Sequence, residues 1–143
     1  MTKHLVKEWM SPDPIKVDSK VGVSVAYHLM RLNEVRRLLV VNDSDELVGI
    51  VTWGDIRESR PKSRPPSQRI DAWESHFLVA TMEVTEIMTP NPITVTPETS
   101  IGEAAQLMLE HKVGGLPVVE GKRIAGIITE SDIFRFVVET EDM

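Results

Sequence analysis

A chain of 143 residues, 41% apolar and 27% charged, has room for one compact domain or for two small halves sharing a core. It contains no cysteine, which excludes disulfides, thiolate metal sites and cysteine nucleophiles, and its net charge of −6 argues against a general nucleic-acid binder, which needs a basic face to displace counterions. No apolar run approaches the ~20 residues of a membrane helix, and Met1 to Glu8 lack the unbroken apolar stretch of a signal peptide, so cytoplasm is the expected location.

Taken in chain order, the first predicted element is a short strand at Ile15 to Val17, approached through Pro12 and Pro14, which preset extended backbone. A helix follows, with Ala26, Leu29 and Met30 on one face. Its start should be weak, because Gly22 stands where a capping side chain would and Val25 where a capping acid would. Leu38 to Val41 is a continuous apolar run, as in a strand buried on both faces. Across the polar turn Asn42 to Glu46, Leu47 to Thr52 reads as its hairpin partner, and a closing helix begins near Gly54.

Arg57 to Arg69 then carries five basic residues and one acidic one around Pro61, Pro65 and Pro66. The prolines forbid a fixed basic helix, leaving a solvated linker or a polyanion-binding strip. Beyond it, Asp71-x-x-Glu74 starts a helix with Trp73, Phe77, Ala80 and Val84 at helical spacing, a brace over the core or an aromatic ligand box. The first pattern now begins again. Ile93 to Val95 is a strand, Ser100 and Glu103 form a capping box, and Ala104, Leu107 and Met108 make the apolar stripe. Leu116 to Val119 and Ile124 to Thr129 form a second hairpin, and a helix starts near Ser131.

The two halves align residue by residue. Met10-Ser-Pro-Asp-Pro-Ile-Lys-Val17 lies over Met88-Thr-Pro-Asn-Pro-Ile-Thr-Val95, and after a hairpin turn one residue shorter, Gly49-Ile-Val-Thr52 lies over Gly126-Ile-Ile-Thr129, with Asp55 over Asp132. The predicted organisation is repeat 1 over 1–58, a proline-rich basic connector and linking helix over 59–84, and repeat 2 over 85–143. Neither repeat, at ~55 residues, buries enough surface alone. The expected fold is therefore α/β (α+β): two pseudo-twofold-related repeats, each a three-stranded sheet with two helices, packed sheet to sheet.

The leading motif Met-(Ser/Thr)-Pro-x-Pro-Ile-x-Val and the closing motif Gly-Ile-(Val/Ile)-Thr-x-x-Asp-Ile, each present twice, resemble the tandem CBS (cystathionine beta-synthase type) domain pair, or Bateman module. The connector helix and Val84-Thr-Glu-Ile-Met88 also resemble the CBS pair of acetoin utilization protein B relatives. The resemblance implies a cleft in each repeat for AMP, ADP, ATP, S-adenosylmethionine or a related adenosine compound, with no other cofactor. It implies that Asp55 and Asp132 hold ribose hydroxyls, that Thr52 and Thr129 contact ribose or phosphate, and that Ile15 and Ile93 wall the adenine. Phosphate falls to Arg36 and Arg37 in the first repeat. The second has Gly114 and Gly115 there, permitting close backbone approach, with His111 and Lys112 just upstream, so the two clefts should differ. It also implies a homodimer, a disc of four repeats.

The residues themselves leave alternatives open. Thr52 with Asp55, and Thr129 with Asp132, equally suit helix caps, and the arginines equally suit a solvated helix end. Three functions compete: a sensor that passes the state of an adenosine ligand to a partner protein, a dimerisation scaffold that binds no ligand, and an enzyme. The last is not expected. His4, His28, His76 and His111 have no partner at metal-ligand spacing, and there is no Gly-x-Ser-x-Gly elbow, Walker loop or glycine-rich dinucleotide motif.

Overall fold

The computed structural model describes residues 4–59 and 81–141. In it α1 (Val6–Trp9), β1 (Ser11–Pro12) and β2 (Lys16–Asp18) precede α2 (Val23–Asn33). The hairpin of β3 (Arg37–Val41) and β4 (Leu47–Thr52) runs directly into α3 (Trp53–Arg57). After a 3-10 turn at Val84–Glu86 come β5 (Thr89–Pro90), α4 (Ile101–His111), β6 (Gly115–Glu120), β7 (Arg123–Thr129) and α5 (Glu130–Thr140). The mixed α/β architecture of small sheets and few helices is the one expected. The basic strip past Ser59 and the linking-helix residues Trp73, Phe77 and Ala80 lie outside the described residues.

Two compact units result, Ile15–Asn91 and a second that joins Met1–Pro14 to Pro92–Met143. They cut the chain differently from the repeats at 1–58 and 85–143. The first half of each leading motif, Ser11–Pro12 or Thr89–Pro90, pairs with a strand of the other repeat, and the second half with a strand of its own.

In the unit Ile15–Asn91 the sheet order is β2-β3-β4-β5. β2 is parallel to β3, with Val17 opposite Val40, and β5 lies antiparallel on the outer edge of β4, with Pro90 opposite Gly49. Four strands stand where three were expected, the addition being Thr89–Pro90. Proline is tolerated there because an edge strand need not donate on its outer side. The core joins Val17, Ala26, Met30, Leu38, Val40 and Val51 to Val84. Val84 is fully buried and its N–H donates to the Val21 carbonyl at 2.8 Å.

The second unit has sheet order β1-β7-β6 and a core of Val95, Ile101, Ala104, Met108, Leu116, Val118 and Ile128, completed by Val6 from the chain's start. The expected strand at Ile93 to Val95 contracts to a single bridge between Val95 and Val118. The reason is chemical. In the first unit the Leu39 N–H donates to the Ile15 carbonyl at 3.2 Å and the Ser19 N–H to the Val41 carbonyl at 2.9 Å, but the equivalent donors are Pro117, facing Ile93, and Pro97, beyond Val95, and neither has an N–H.

The helix starts follow their caps. Ser100 Oγ accepts from the Glu103 N–H at 3.1 Å, whereas Gly22 gives α2 no side-chain cap. Gly49 and Gly126 are needed for a different reason. A Cβ on Gly126 would lie 2.6 Å from the Ser11 carbonyl and 2.8 Å from the Met10 sulfur, and one on Gly49 would meet the Met88 sulfur and, at 3.0 Å, the Thr89 carbonyl. The leading motifs therefore lie against bare backbone in both units.

Candidate functional site

In each unit a strand of the hairpin passes without a loop into a helix, and the Thr-x-x-Asp motif sits on that junction. Thr52 is the N-cap of α3: its N–H donates to Asp55 Oδ2 at 2.9 Å, and the Asp55 N–H donates to Thr52 Oγ1 at 3.2 Å. At the other junction the Thr129 N–H donates to Asp132 Oδ2 at 2.9 Å and the Thr129 hydroxyl donates to the same oxygen at 3.2 Å. Capping is thus realised twice. It occupies one carboxylate oxygen in each case and fixes the side-chain rotamer.

The second oxygens differ. Among the described residues nothing bonds to Oδ1 of the half-buried Asp55. Oδ1 of Asp132, a residue only 7% exposed, faces Arg135 Nη2 at 3.4 Å. The same nitrogen donates to the Trp9 carbonyl at 2.9 Å, and the guanidinium lies 5.5 Å from the Trp9 ring centre. The residue corresponding to Arg135 in the first repeat is Glu58.

Each unit also carries a cleft where the first helix of the repeat ends, its residue past the helix in left-handed conformation (Glu34, φ 54°; Lys112, φ 54°). The two occupy matching positions with opposite chemistry. In Ile15–Asn91 a cleft of about 520 Å³ is lined by Met30, Arg31, Glu34, Arg36, Trp53 and Arg57 among others. Tyr27 stacks on Trp53 with ring centres 5.3 Å apart, and Arg31 donates to the Tyr27 hydroxyl at 3.2 Å. In the second unit a cleft of about 460 Å³ has Leu109, Lys112, Gly114, Glu130 and Phe134 at the equivalent places. One cleft is basic and aromatic, the other mainly apolar.

Comparison with known proteins gives these junctions a family. The CBS domain model matches residues 6–62 and 84–139. The chain belongs to the CBS domain family. A CBS domain-containing protein of Dictyostelium discoideum is 33% identical over 138 residues, spanning 96% of this chain and 93% of that protein. Larger proteins match over a minor part of their length: L-aspartate semialdehyde sulfurtransferase of Methanocaldococcus jannaschii is 28% identical across 92% of this chain but 23% of its own length. Among solved structures, a putative acetoin utilization protein from Vibrio cholerae superposes with TM-score 0.78 at 27% identity, covering 99% of this chain and 95% of that one. The CBS pair of protein MJ0100, in complex with 5′-methylthioadenosine and S-adenosyl-L-methionine, and CBSX2, in complex with AMP, each superpose with TM-score 0.77 at 27% identity, covering 96% of this chain and 98% of theirs.

Within this CBS pair the predicted site residues divide between junction and cleft. Strand register sets Arg37 opposite Thr52 and Gly115 opposite Thr129, so both stand at the Thr-x-x-Asp junctions. Arg36 instead lines the basic cleft, and its carbonyl accepts from the Trp53 N–H at 2.8 Å; Gly114 is its counterpart, accepting from the Glu130 N–H at 3.0 Å. Lys112 lines the apolar cleft, while the exposed His111 is the last residue of α4 and lines neither. Ile15 packs against its unit's core and its carbonyl accepts from the Leu39 N–H, whereas Ile93 is 38% exposed. Arg31, Trp53, Arg57 and Arg135 were not anticipated. The period-2 alternation of a strand was the available signal that Arg36 and Arg37 diverge. Among the described residues no group of three or more acidic or histidine side chains is placed to hold a metal, and no helix is long and apolar enough to cross a membrane.

Proposed function

We propose that this CBS pair is a regulatory module that binds an adenosine-containing ligand and transmits its state to a partner protein, without catalysis of its own. The observation that carries the reading is the recurrence of Thr-x-x-Asp, rigidly capped, at both strand-to-helix junctions. A carboxylate held by its own cap on one oxygen presents the other in a fixed direction, as recognition of vicinal ribose hydroxyls requires. Solved relatives that this chain matches along nearly its whole length carry AMP in one case, and 5′-methylthioadenosine with S-adenosylmethionine in another. Arg37 beside Thr52 would meet phosphate, Ile15 and Ile93 would wall the adenine, and Gly114 and Gly115 would admit a ligand to the second site with less charge.

A homodimer accompanies this reading. Leu109, Val138 and Phe134 are 75%, 72% and 64% exposed, an apolar face of α4 and α5 that a second copy would cover. The same face supports the alternative of a dimerisation scaffold without ligand. Thermal unfolding of dialysed protein with AMP, ADP, ATP, S-adenosylmethionine, NAD and GTP separates the two. Ligand at 100 times its Kd stabilises by about 2.7 kcal/mol, a shift of several degrees. Shifts with adenosine compounds but not GTP support the sensor, and none with any of them supports the scaffold.

A further inference from the structure

The two motif aspartates are capped alike but engaged differently, and the difference runs through one side chain. Arg135, on α5 one turn after Asp132, places Nη2 3.4 Å from Asp132 Oδ1 and 2.9 Å from the Trp9 carbonyl, a residue 126 positions away in sequence. Its guanidinium also lies over the Trp9 ring, which meets Phe136 edge to face at 5.3 Å. Trp9 ends α1, and the next residues, Met10 and Ser11, begin the leading motif laid along Gly126. In the unit Ile15–Asn91 the corresponding residues are Glu58 and Ile87, which can make neither the cation–π contact nor the bridge.

We infer that Arg135 is a ligand-displaceable clasp between Asp132 and the leading segment, so that occupancy of the Asp132 site, unlike that of Asp55, is reported to residues 5–12. This rests on the adenosine reading above. A ribose diol must bond to the carboxylate oxygen that the cap leaves over. At Asp132 that oxygen is engaged by Arg135, so the diol and the guanidinium compete for it. When the diol wins, Arg135 loses one of the contacts that aim it at the Trp9 carbonyl, and α1 with β1 is held less firmly. A ligand shifts an equilibrium only through unequal affinity for its two states, and this competition supplies the inequality. By reciprocity, anything that draws the leading segment away opens the Asp132 site.

The test uses adenosine, which is neutral, so that removing a cation is not confused with losing a phosphate contact. In the full chain carrying Asp55→Asn, which silences the other site, adenosine is titrated calorimetrically with and without Arg135→Gln, and with Arg135→Lys as the charge-retaining variant. Arg135→Gln should bind about three- to fivefold more tightly, the scale of a half-exposed ion pair removed as competitor, with Arg135→Lys between. A purely structural role would loosen the unit and weaken binding. Hydrogen exchange should show amides of residues 5–12 exchanging faster on saturation in the Arg135 protein and no further change in Arg135→Gln. Equal or weaker adenosine binding by Arg135→Gln, or unaltered exchange on saturation, overturns the clasp alone. Absence of adenosine binding by every variant and by the unsubstituted protein overturns the adenosine reading, and the clasp with it.

Discussion

Asp55 performs two tasks that a pair of substitutions should separate. Its Oδ2 accepts from the Thr52 N–H at 2.9 Å and its own N–H donates to Thr52 Oγ1 at 3.2 Å, while Oδ1 is left for a ligand among the described residues. Asp55→Ala removes the carboxylate from the capping box, a loss of about 1 kcal/mol and a few degrees of Tm, together with the proposed ribose contact. Asp55→Asn keeps an amide oxygen able to accept from the Thr52 N–H, so Tm should stay within a few degrees of the parent. It cannot offer a charged acceptor to a diol, however, and a charge-assisted hydrogen bond contributes about 1.5–3 kcal/mol, or roughly 10- to 100-fold in Kd. Differential scanning calorimetry of the free proteins and isothermal titration with adenosine read the two effects apart. If Asp55→Asn binds adenosine as tightly as the parent protein at the same stoichiometry, Asp55 is a cap and nothing more.

Other outcomes follow from the same geometry. Gly126→Ala should cost about 1–3 kcal/mol, the usual penalty of overpacking, and should speed hydrogen exchange at Met10 and Ser11, because the added Cβ meets the Ser11 carbonyl at 2.6 Å; unchanged exchange there would contradict the close approach. Val84→Ala removes two methyl groups' worth of fully buried side chain, so urea unfolding should show a loss of about 2–3 kcal/mol from transfer and cavity terms together; a loss under about 0.5 kcal/mol would mean that Val84 does not complete that core. Arg37→Ala, at the junction with Thr52, should weaken AMP but not adenosine, whereas Arg36→Ala, in the basic cleft of the same unit, should weaken AMP less. Equal losses for both ligands would refute the phosphate role.

The local grammar was readable and the partner of each short strand was not. Ser100 announced a capped helix and Gly22 an uncapped one, and both hold because capping is decided within four residues, though only the Ser100 half of the expected capping box forms: its Oγ accepts from the Glu103 N–H, and the Glu103 side chain does not reach back. The continuous apolar runs at Leu38 to Val41 and Leu116 to Val119 became the buried strands β3 and β6 for the same local reason. Ser11–Pro12 and Thr89–Pro90 carry no such signal. A two-residue strand with a proline has too few side chains to specify an edge, and what places it is the bare backbone of a glycine far along the chain. Helical spacing makes Val84 the last residue of a linking-helix stripe, yet it and Val6 stand at equivalent places ahead of the two leading motifs, and each fills the core of the unit its motif joins. The Thr-x-x-Asp junctions were legible because the motif is contiguous. Arg31, Arg57 and Arg135 were not, since a cleft or a clasp gathers residues that sequence separates.

The pairing of Ser11–Pro12 with β7 carries a consequence for how the molecule is made. Synthesis runs from the N-terminus, so Ile15–Asn91 can close on itself as soon as Asn91 has emerged. Residues 5–12 cannot, because their strand and core partners lie as far on as Gly126 to Ile128. At 5–20 residues per second, Val6, Trp9 and Met10 wait roughly 6–23 s with their apolar side chains unmatched while a finished unit hangs between them and their destination. Residues 5–12 thus stay exposed and sticky until the second hairpin has emerged. Chaperone capture in that interval should map to residues 5–12 rather than to the first sheet.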